Sequence, residues 1–304
     1  MNKPTLSTKV MSSEVASTAE LPPLRHCFIG EVIGTFILIF FGCGAVHTAV
    51  LHGAQAGLWQ IAIVWGVAIM LAIHAVGAIS GAHINPAITV AMFCWDGFRR
   101  DRVLPYIAAQ VLGAFLAAAC LFTMFSPSLR EVEQRKGVVR GQPGSEITAT
   151  CYGEYYPAPG GLASGDEPYS AEQHAELNRT VTHGIAFFAE VVGTAILTLM
   201  VFALGEQRNR LAPLHNTSGI FVGLTVAILI SVIAPLTQAC FNPARDFGPR
   251  LFAALAGWGP IALPLGSDWS WLTVYILAPT LGAVIGGGFF KKVLLPMYAH
   301  THAQ

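Results

Sequence analysis

Six long apolar stretches, nearly free of charge, constrain this chain more than anything else in it: Cys27 to Leu51, Leu58 to Ile79, Val103 to Phe125, His183 to Leu204, Gly219 to Leu236 and Trp271 to Phe290. Each reaches or approaches the roughly 20 residues that a helix needs to cross about 30 Å of hydrocarbon. Strands of a membrane barrel would instead read as alternating segments of about ten residues, and these stretches do not alternate. With 54% hydrophobic and 11% charged residues, the chain has less than half the charged share of about one quarter found in soluble domains. The expected fold class is therefore an all-α membrane protein with six transmembrane helices embedded in a lipid bilayer.

The formal net charge is zero, which gives no reason to expect nucleic acid or an acidic substrate. The placement of charge says more. Lys3, Lys9 and Arg25 precede the first span, Arg99, Arg100 and Arg102 the third, Arg208 and Arg210 lie between the fourth and fifth, and Lys291 and Lys292 follow the sixth. These segments fall on one side, which the positive-inside rule makes cytoplasmic, so both termini are expected inside. Residues 1–26 lack the apolar core and cleavage site of a signal peptide and read as a cytoplasmic tail, with a second tail at 295–304. Cys27, Cys43, Cys94, Cys120 and Cys240 fall in or beside apolar segments and only Cys151 in an aqueous loop; no CxxC or Cys/His cluster occurs. They read as small buried hydrophobes rather than a disulfide framework or zinc site. His74 and His83 form no HExxH, so neither a metal, another cofactor nor an enzymatic constellation is expected.

Gly30-Glu31-Val32-Ile33-Gly34-Thr35-Phe36-Ile37-Leu38 is echoed by Ala189-Glu190-Val191-Val192-Gly193-Thr194-Ala195-Ile196-Leu197, and each copy is followed some fifty residues on by Asn-Pro-Ala. Three spans per copy, an odd number, send the second copy into the membrane from the opposite side, an inverted repeat. The channel-like unit is expected over 27–294: repeat one at 27–125, a polar outer segment at 126–182, and repeat two at 183–294. The polar segment either shapes an outer vestibule or is a solvated linker.

Asn85-Pro86-Ala87 opens an apolar run that ends at Trp95, long enough for only half a bilayer; Asn242-Pro243-Ala244 opens a second that runs to about Gly257. Asn suits a helix N-cap and Pro the first helical position, so two re-entrant half-helices are expected to start near the midplane. Exposed backbone at that depth requires protein or a water-filled cavity beside it, which implies a pore. Gly81, Ala82, His83, Gln238 and Cys240 are expected to offer carbonyl oxygens to it, while Asn85 and Asn242 offer NH₂ donors. Two helix N-termini, each worth roughly half a positive charge, repel cations there, and a water held by both Asn groups breaks the chain along which protons hop. Arg245 costs about 2.5 to 3.5 kcal/mol in the membrane and is expected to face the pore. Asp246 and Arg250, an i,i+4 pair, are expected to hold the half-helix rather than touch solute. Glu31 and Glu190 are expected to accept backbone N–H groups of the re-entrant loops, a proton relay being the rival reading.

The two Asn-Pro-Ala boxes, the repeated E-V-[IV]-G-T and the extension Arg245-Asp246-Phe247-Gly248-Pro249-Arg250 resemble the aquaporin superfamily, and Asp246, Arg250, Pro279 and Thr280 resemble its aquaglyceroporin (glycerol facilitator) branch. The resemblance implies an aquaporin-like fold, a homotetramer with one pore per subunit, and passive transport of glycerol, water and other small neutral solutes across a plasma membrane, the inner membrane in a bacterium. It places the selectivity filter at Trp65, Ile230, Ala239 and Arg245. Bacterial glycerol facilitators typically carry Gly and Phe where Ile230 and Ala239 stand; the set here is closer to that of plant nodulin-26-like channels. A channel mainly for water, ammonia or small amides is the alternative reading, and a gradient-coupled secondary transporter is the alternative of a different class.

Overall fold

The computed structural model describes residues 22–213, 217–266 and 268–300; most of the N-terminal tail and the last four residues lie outside them. Among the described residues six helices are long and apolar enough to span a membrane: α1 (Leu24–His52), α2 (Leu58–Ser80), α4 (Arg100–Lys136), α5 (His183–Gly205), α6 (Ser218–Thr237) and α8 (Ser270–Tyr298), with the half-helices α3 (Pro86–Trp95) and α7 (Pro243–Ala253) between them. The described residues hold helices and loops and no strand.

The repeat is visible in the packing. α1 packs on α2 and α4 as α5 packs on α6 and α8, and α2 meets α6 between the halves. Each half-helix leans on the third span of the other repeat, α3 on α8 and α7 on α4. With lipid outside, the helices associate through close packing of small residues rather than hydrophobic collapse. Where α2 crosses α6, a Cβ on Gly66 would stand 2.6 Å from the carbonyl oxygen of Gly223, and one on Gly223 2.3 Å from that of Gly66, so a side chain at either position would force the helices apart. Large apolar side chains such as Leu104, Phe188 and Val232 point outward, as a surface bathed in acyl chains requires.

Three expectations need correction. The third span does not stop at Phe125: α4 continues to Lys136, well into the segment read as loop. Its polar extension is amphipathic and packs on the following loop, burying Leu129, Val132, Glu133 and Lys136 while Arg130 and Glu131 stay exposed. Lys291 and Lys292 lie within α8 rather than beyond it, because the helix runs to Tyr298 and Lys291 reaches Asp96 at 2.5 Å. Cys151 is fully buried, not in water, whereas Cys94 and Cys120 are exposed on the outer helix surface.

The segment after α4 is a folded cap. It places Thr148, Cys151, Tyr152 and Glu154 out of solvent, and Trp258 donates through Nε1 to the hydroxyl of Thr148 at 3.1 Å. Glu133 pairs with Arg140 at 2.9 Å and accepts from Thr148 at 3.0 Å, while Lys136 Nζ donates to the carbonyls of Ser164 at 2.5 Å and Glu167 at 2.9 Å. Of the two readings of this segment, the vestibule is the one that its packing supports: Thr150, Ala158, Gly160 and Ser164 line a cavity together with Trp65 and Arg245.

Candidate functional site

Each half-helix starts as its first residues dictate. Asn85 and Asn242 are extended N-caps, each followed by Pro at the first helical position. Asn85 Oδ1 accepts from Ala87 N–H at 2.9 Å, and Asn242 Oδ1 from Ala244 N–H at 3.0 Å. The amide groups face the other repeat. Asn85 Nδ2 donates to the carbonyl of Phe241 at 2.8 Å and Asn242 Nδ2 to that of Ile84 at 2.9 Å, a reciprocal lock between the loops. One hydrogen of each NH₂ is thereby used, which leaves one for the pore; the carbonyls of Ile84 and Phe241 are occupied.

The loops are held in a costly backbone. Ala82, Ile84, Gln238, Ala239 and Phe241 all have φ between 44° and 63°, left-handed conformations that each cost about 1–3 kcal/mol outside glycine unless the surroundings enforce them. The two buried glutamates enforce them. Glu31 accepts from His83 N–H at 3.0 Å, Ile84 N–H at 2.7 Å, the Ser80 hydroxyl at 2.6 Å and Gln110 Nε2 at 2.7 Å. Glu190 accepts from Cys240 N–H at 2.9 Å, Phe241 N–H at 2.8 Å and the Thr237 hydroxyl at 2.6 Å. With the N–H groups turned to the glutamates, no described donor reaches the carbonyl oxygens of Gly81, Ala82, His83, Gln238 or Cys240, and these residues line the cavities of the pore. Three letters later in the repeated motif, Gly34 and Gly193 make room for the residue before each Asn: a Cβ on Gly34 would meet Ile84 at 2.7 Å, and one on Gly193 the Phe241 ring at 2.1 Å.

Three cavities follow one another through the chain. An outer one of about 310 Å³ shares Trp65, Ile230 and Arg245 with a narrow one of about 40 Å³. The narrow one shares Asn85 and Asn242 with an inner one of about 170 Å³, which is lined by Gly81, Ala82, His83 and Ile84. Trp65, Ile230, Ala239 and Arg245 all border the narrow cavity. The Arg245 guanidinium lies 4.7 Å from the centre of the Trp65 ring. Gly42 makes that ring's position possible, since a Cβ there would stand 2.2 Å from it. The constriction is thus amphipathic: indole and aliphatic surface stand beside a guanidinium and backbone carbonyls.

Several residues that matter here escaped sequence reading. Arg245 is held by the cap: Nη1 donates to the Tyr152 carbonyl at 2.8 Å and Nε pairs with the Glu154 carboxylate. Burial pushes the Glu154 carboxyl up to about 8, with the neighbouring Arg245 acting in the opposite direction. Asp246 and Arg250 do more than brace the half-helix. Arg250 pairs with Asp246 at 2.8 Å and donates to the carbonyls of Ala262, at 2.7 Å, and Glu154, while Asp246 accepts from Glu154 N–H at 2.7 Å. The pair therefore fastens the cap over the constriction. Nothing in the loop's composition marks Tyr152 or Glu154 for this role. Leu38, Leu197, Ile69 and Val226 complete the apolar wall, and these had a signal: Leu38 and Leu197 close the repeated motif, while Ile69 and Val226 lie one helical turn from Trp65 and Ile230.

Comparison with known proteins finds relatives along most of the chain. The model of the major intrinsic protein family matches residues 18–290. The chain is 39% identical over 280 residues to the glycerol uptake facilitator protein of Pseudomonas aeruginosa, covering 92% of each. It is 36% identical over 271 residues to the protein of that name in Escherichia coli, covering 89% of each. A propanediol uptake facilitator of Citrobacter freundii is 36% identical over 271 residues, with 89% of this chain and 93% of that one covered. The crystal structure of an aquaglyceroporin from Plasmodium falciparum superposes with a TM-score of 0.75 at 22% identity, over 91% of this chain and 100% of that one, and so shares the fold.

Proposed function

From the chain's membership of the major intrinsic protein family, we propose that it is a passive channel for glycerol and similar small uncharged solutes, with some water, and that it excludes protons and ions. The observation that carries this reading is the amphipathic constriction of about 40 Å³ between two wider cavities. A polyol has one face of C–H groups and one of hydroxyls. Trp65, Ile230 and Ala239 take the first, and Arg245 with the loop carbonyls takes the second, so a solute exchanges its hydration shell for matched partners. Propanediol, the solute in one relative's name, keeps the same division of faces and fits the same wedge.

Trp65, Ile230, Ala239 and Arg245 act as the selectivity filter, and Asn85 and Asn242 as the central donors. Cations meet Arg245 first and the two half-helix N-termini second. Of the two buried glutamates, each has its oxygens engaged by loop and hydroxyl donors, which speaks for a supporting role and against a proton relay or a gradient-coupled transporter. No chemical turnover is assigned. The channel unit covers 27–294, works as a homotetramer with a pore in each subunit, and lies in the inner membrane of a bacterium with both termini cytoplasmic; the cluster of basic residues on one face supports that orientation.

The decisive experiment is stopped-flow light scattering on proteoliposomes at matched protein density, comparing osmotic water flux with glycerol and urea re-swelling in the absence of any ion gradient. Rapid glycerol entry is expected. Fast water with no glycerol entry would overturn the assignment and leave a channel mainly for water, ammonia or small amides.

A further inference from the structure

On the basic face, beside the inner cavity, lies a further cavity of about 410 Å³, apart from the three that follow one another through the chain. Pro22 and Cys27 at the start of α1, the end of α2, the turn at residues 96–99 and the first residues of α4 enclose it. Two arginines line it, Arg99 and Arg102. Arg99 is exposed and pairs with Asp101 at 2.7 Å. Arg102 is different: it is 8% exposed, and no described carboxylate pairs with it. Its Nη1 donates only to the Cys27 thiol, at 3.5 Å, and its Nε has no partner. The acid that also lines the cavity, Asp96, is taken by Lys291 at 2.5 Å. Asp101 acts on it only through space and is itself paired with Arg99, and burying a guanidinium without a paired counter-charge is unfavourable, because the desolvation is poorly compensated.

We propose that this cavity binds a phosphate group through Arg102. A planar guanidinium with unused donors is shaped for bidentate contact with phosphate oxygens, and a second arginine on the same wall suits a group that carries up to two negative charges. The phosphate belongs either to a soluble phosphomonoester or to the headgroup of an anionic lipid; both offer the same oxygens. Gly81, His83 and Met92 line this cavity and the inner vestibule alike, so an occupant sits against the wall of the conduction path. The inference does not depend on which solute passes.

The test uses the full-length protein in neutral detergent. Equilibrium dialysis with radiolabelled inorganic phosphate probes the soluble source. Native mass spectrometry of protein released from nanodiscs of phosphatidylglycerol or phosphatidylcholine probes the lipid source. Saturable phosphate binding, or selective retention of phosphatidylglycerol, is expected in the parent, weakened at least about tenfold in Arg102→Gln and only partly restored in Arg102→Lys, which keeps the charge but not the bidentate fork. A second variant, Ala78→Glu, leaves Arg102 in place and adds a competing carboxylate at an exposed position of the cavity wall, so it serves even if Arg102→Gln fails to fold. It should weaken binding to a similar degree. Binding unchanged in both variants, or no binding of either probe by the parent, would overturn the proposal.

Discussion

Replacing Glu190 with Gln tests whether the buried carboxylates set the pore's shape. In the parent, Oε1 accepts from the Thr237 hydroxyl at 2.6 Å and Cys240 N–H at 2.9 Å, and Oε2 accepts from Phe241 N–H at 2.8 Å. An amide can keep its oxygen on the first two, but its NH₂ then faces Phe241 N–H, donor against donor. Orphaning a buried N–H costs about 1–3 kcal/mol, and losing charge assistance in the two remaining bonds costs about 1 kcal/mol each, so the change amounts to about 3–5 kcal/mol. At about 1.4 kcal/mol per factor of ten, the balance shifts on the order of a hundredfold to several thousandfold toward conformations in which the loop has left its place. The left-handed residues Gln238, Ala239 and Phe241 push in the same direction, because each is relieved on leaving. Glycerol flux in proteoliposomes should fall at least about tenfold while helix content by circular dichroism stays near the parent's. Flux within about twofold of the parent, together with unchanged thermal stability, would refute the argument, because bonds of this kind cannot be lost without effect in a loop they hold.

Three further substitutions probe the filter and its cap. Replacing Arg245 with Ala removes the guanidinium that borders the constriction, and a proton or cation leak should appear in potential-clamped vesicles; an unchanged leak would mean that the half-helix N-termini suffice. Replacing Ala239 with Phe fills part of the narrow cavity and should change the glycerol-to-water ratio in paired swelling assays, whereas equal ratios would place residue 239 off the path. Glu154, its carboxyl raised to about 8 by burial, gains a proton as pH falls through that value, which removes the charge that opposes Arg245. More of the guanidinium's donors then turn to solute, so the glycerol-to-water ratio should rise below that pH in the parent and stay flat in Glu154→Gln; a flat parent profile refutes the coupling.

Much of this architecture was readable in the residues. Helix length against membrane thickness fixed six spans, and Asn-Pro at the head of two short apolar runs fixed the half-helices, because few other arrangements satisfy those backbone groups in hydrocarbon. The motif around Glu31 and Glu190 carried more than it showed at first: the Glu binds the loop, the Gly admits Ile84 or Phe241, and the Leu lines the constriction. What escaped lies where no periodicity operates. The cap's grip on Arg245 comes from Tyr152 and Glu154, residues whose role depends on a fold made of turns and single helical turns. The extension of α4 was hidden for a related reason: its charged face reads as solvent-exposed loop until the cap supplies the surface that its buried face packs against.

The reciprocal lock between the Asn85 and Asn242 loops has a consequence for biogenesis. As the chain leaves the ribosome, the first repeat can enter the bilayer and tie its own loop to Glu31, since Ser80 and Gln110 belong to the same half. Its Asn85 amide, however, lacks its protein acceptor until Phe241 is delivered some 150 residues later, and α3, which rests on α4 within its own repeat, lacks its larger packing partner until α8, the last span, is inserted. The lock between the two loops is therefore completed only when the second Asn-Pro-Ala segment has been made.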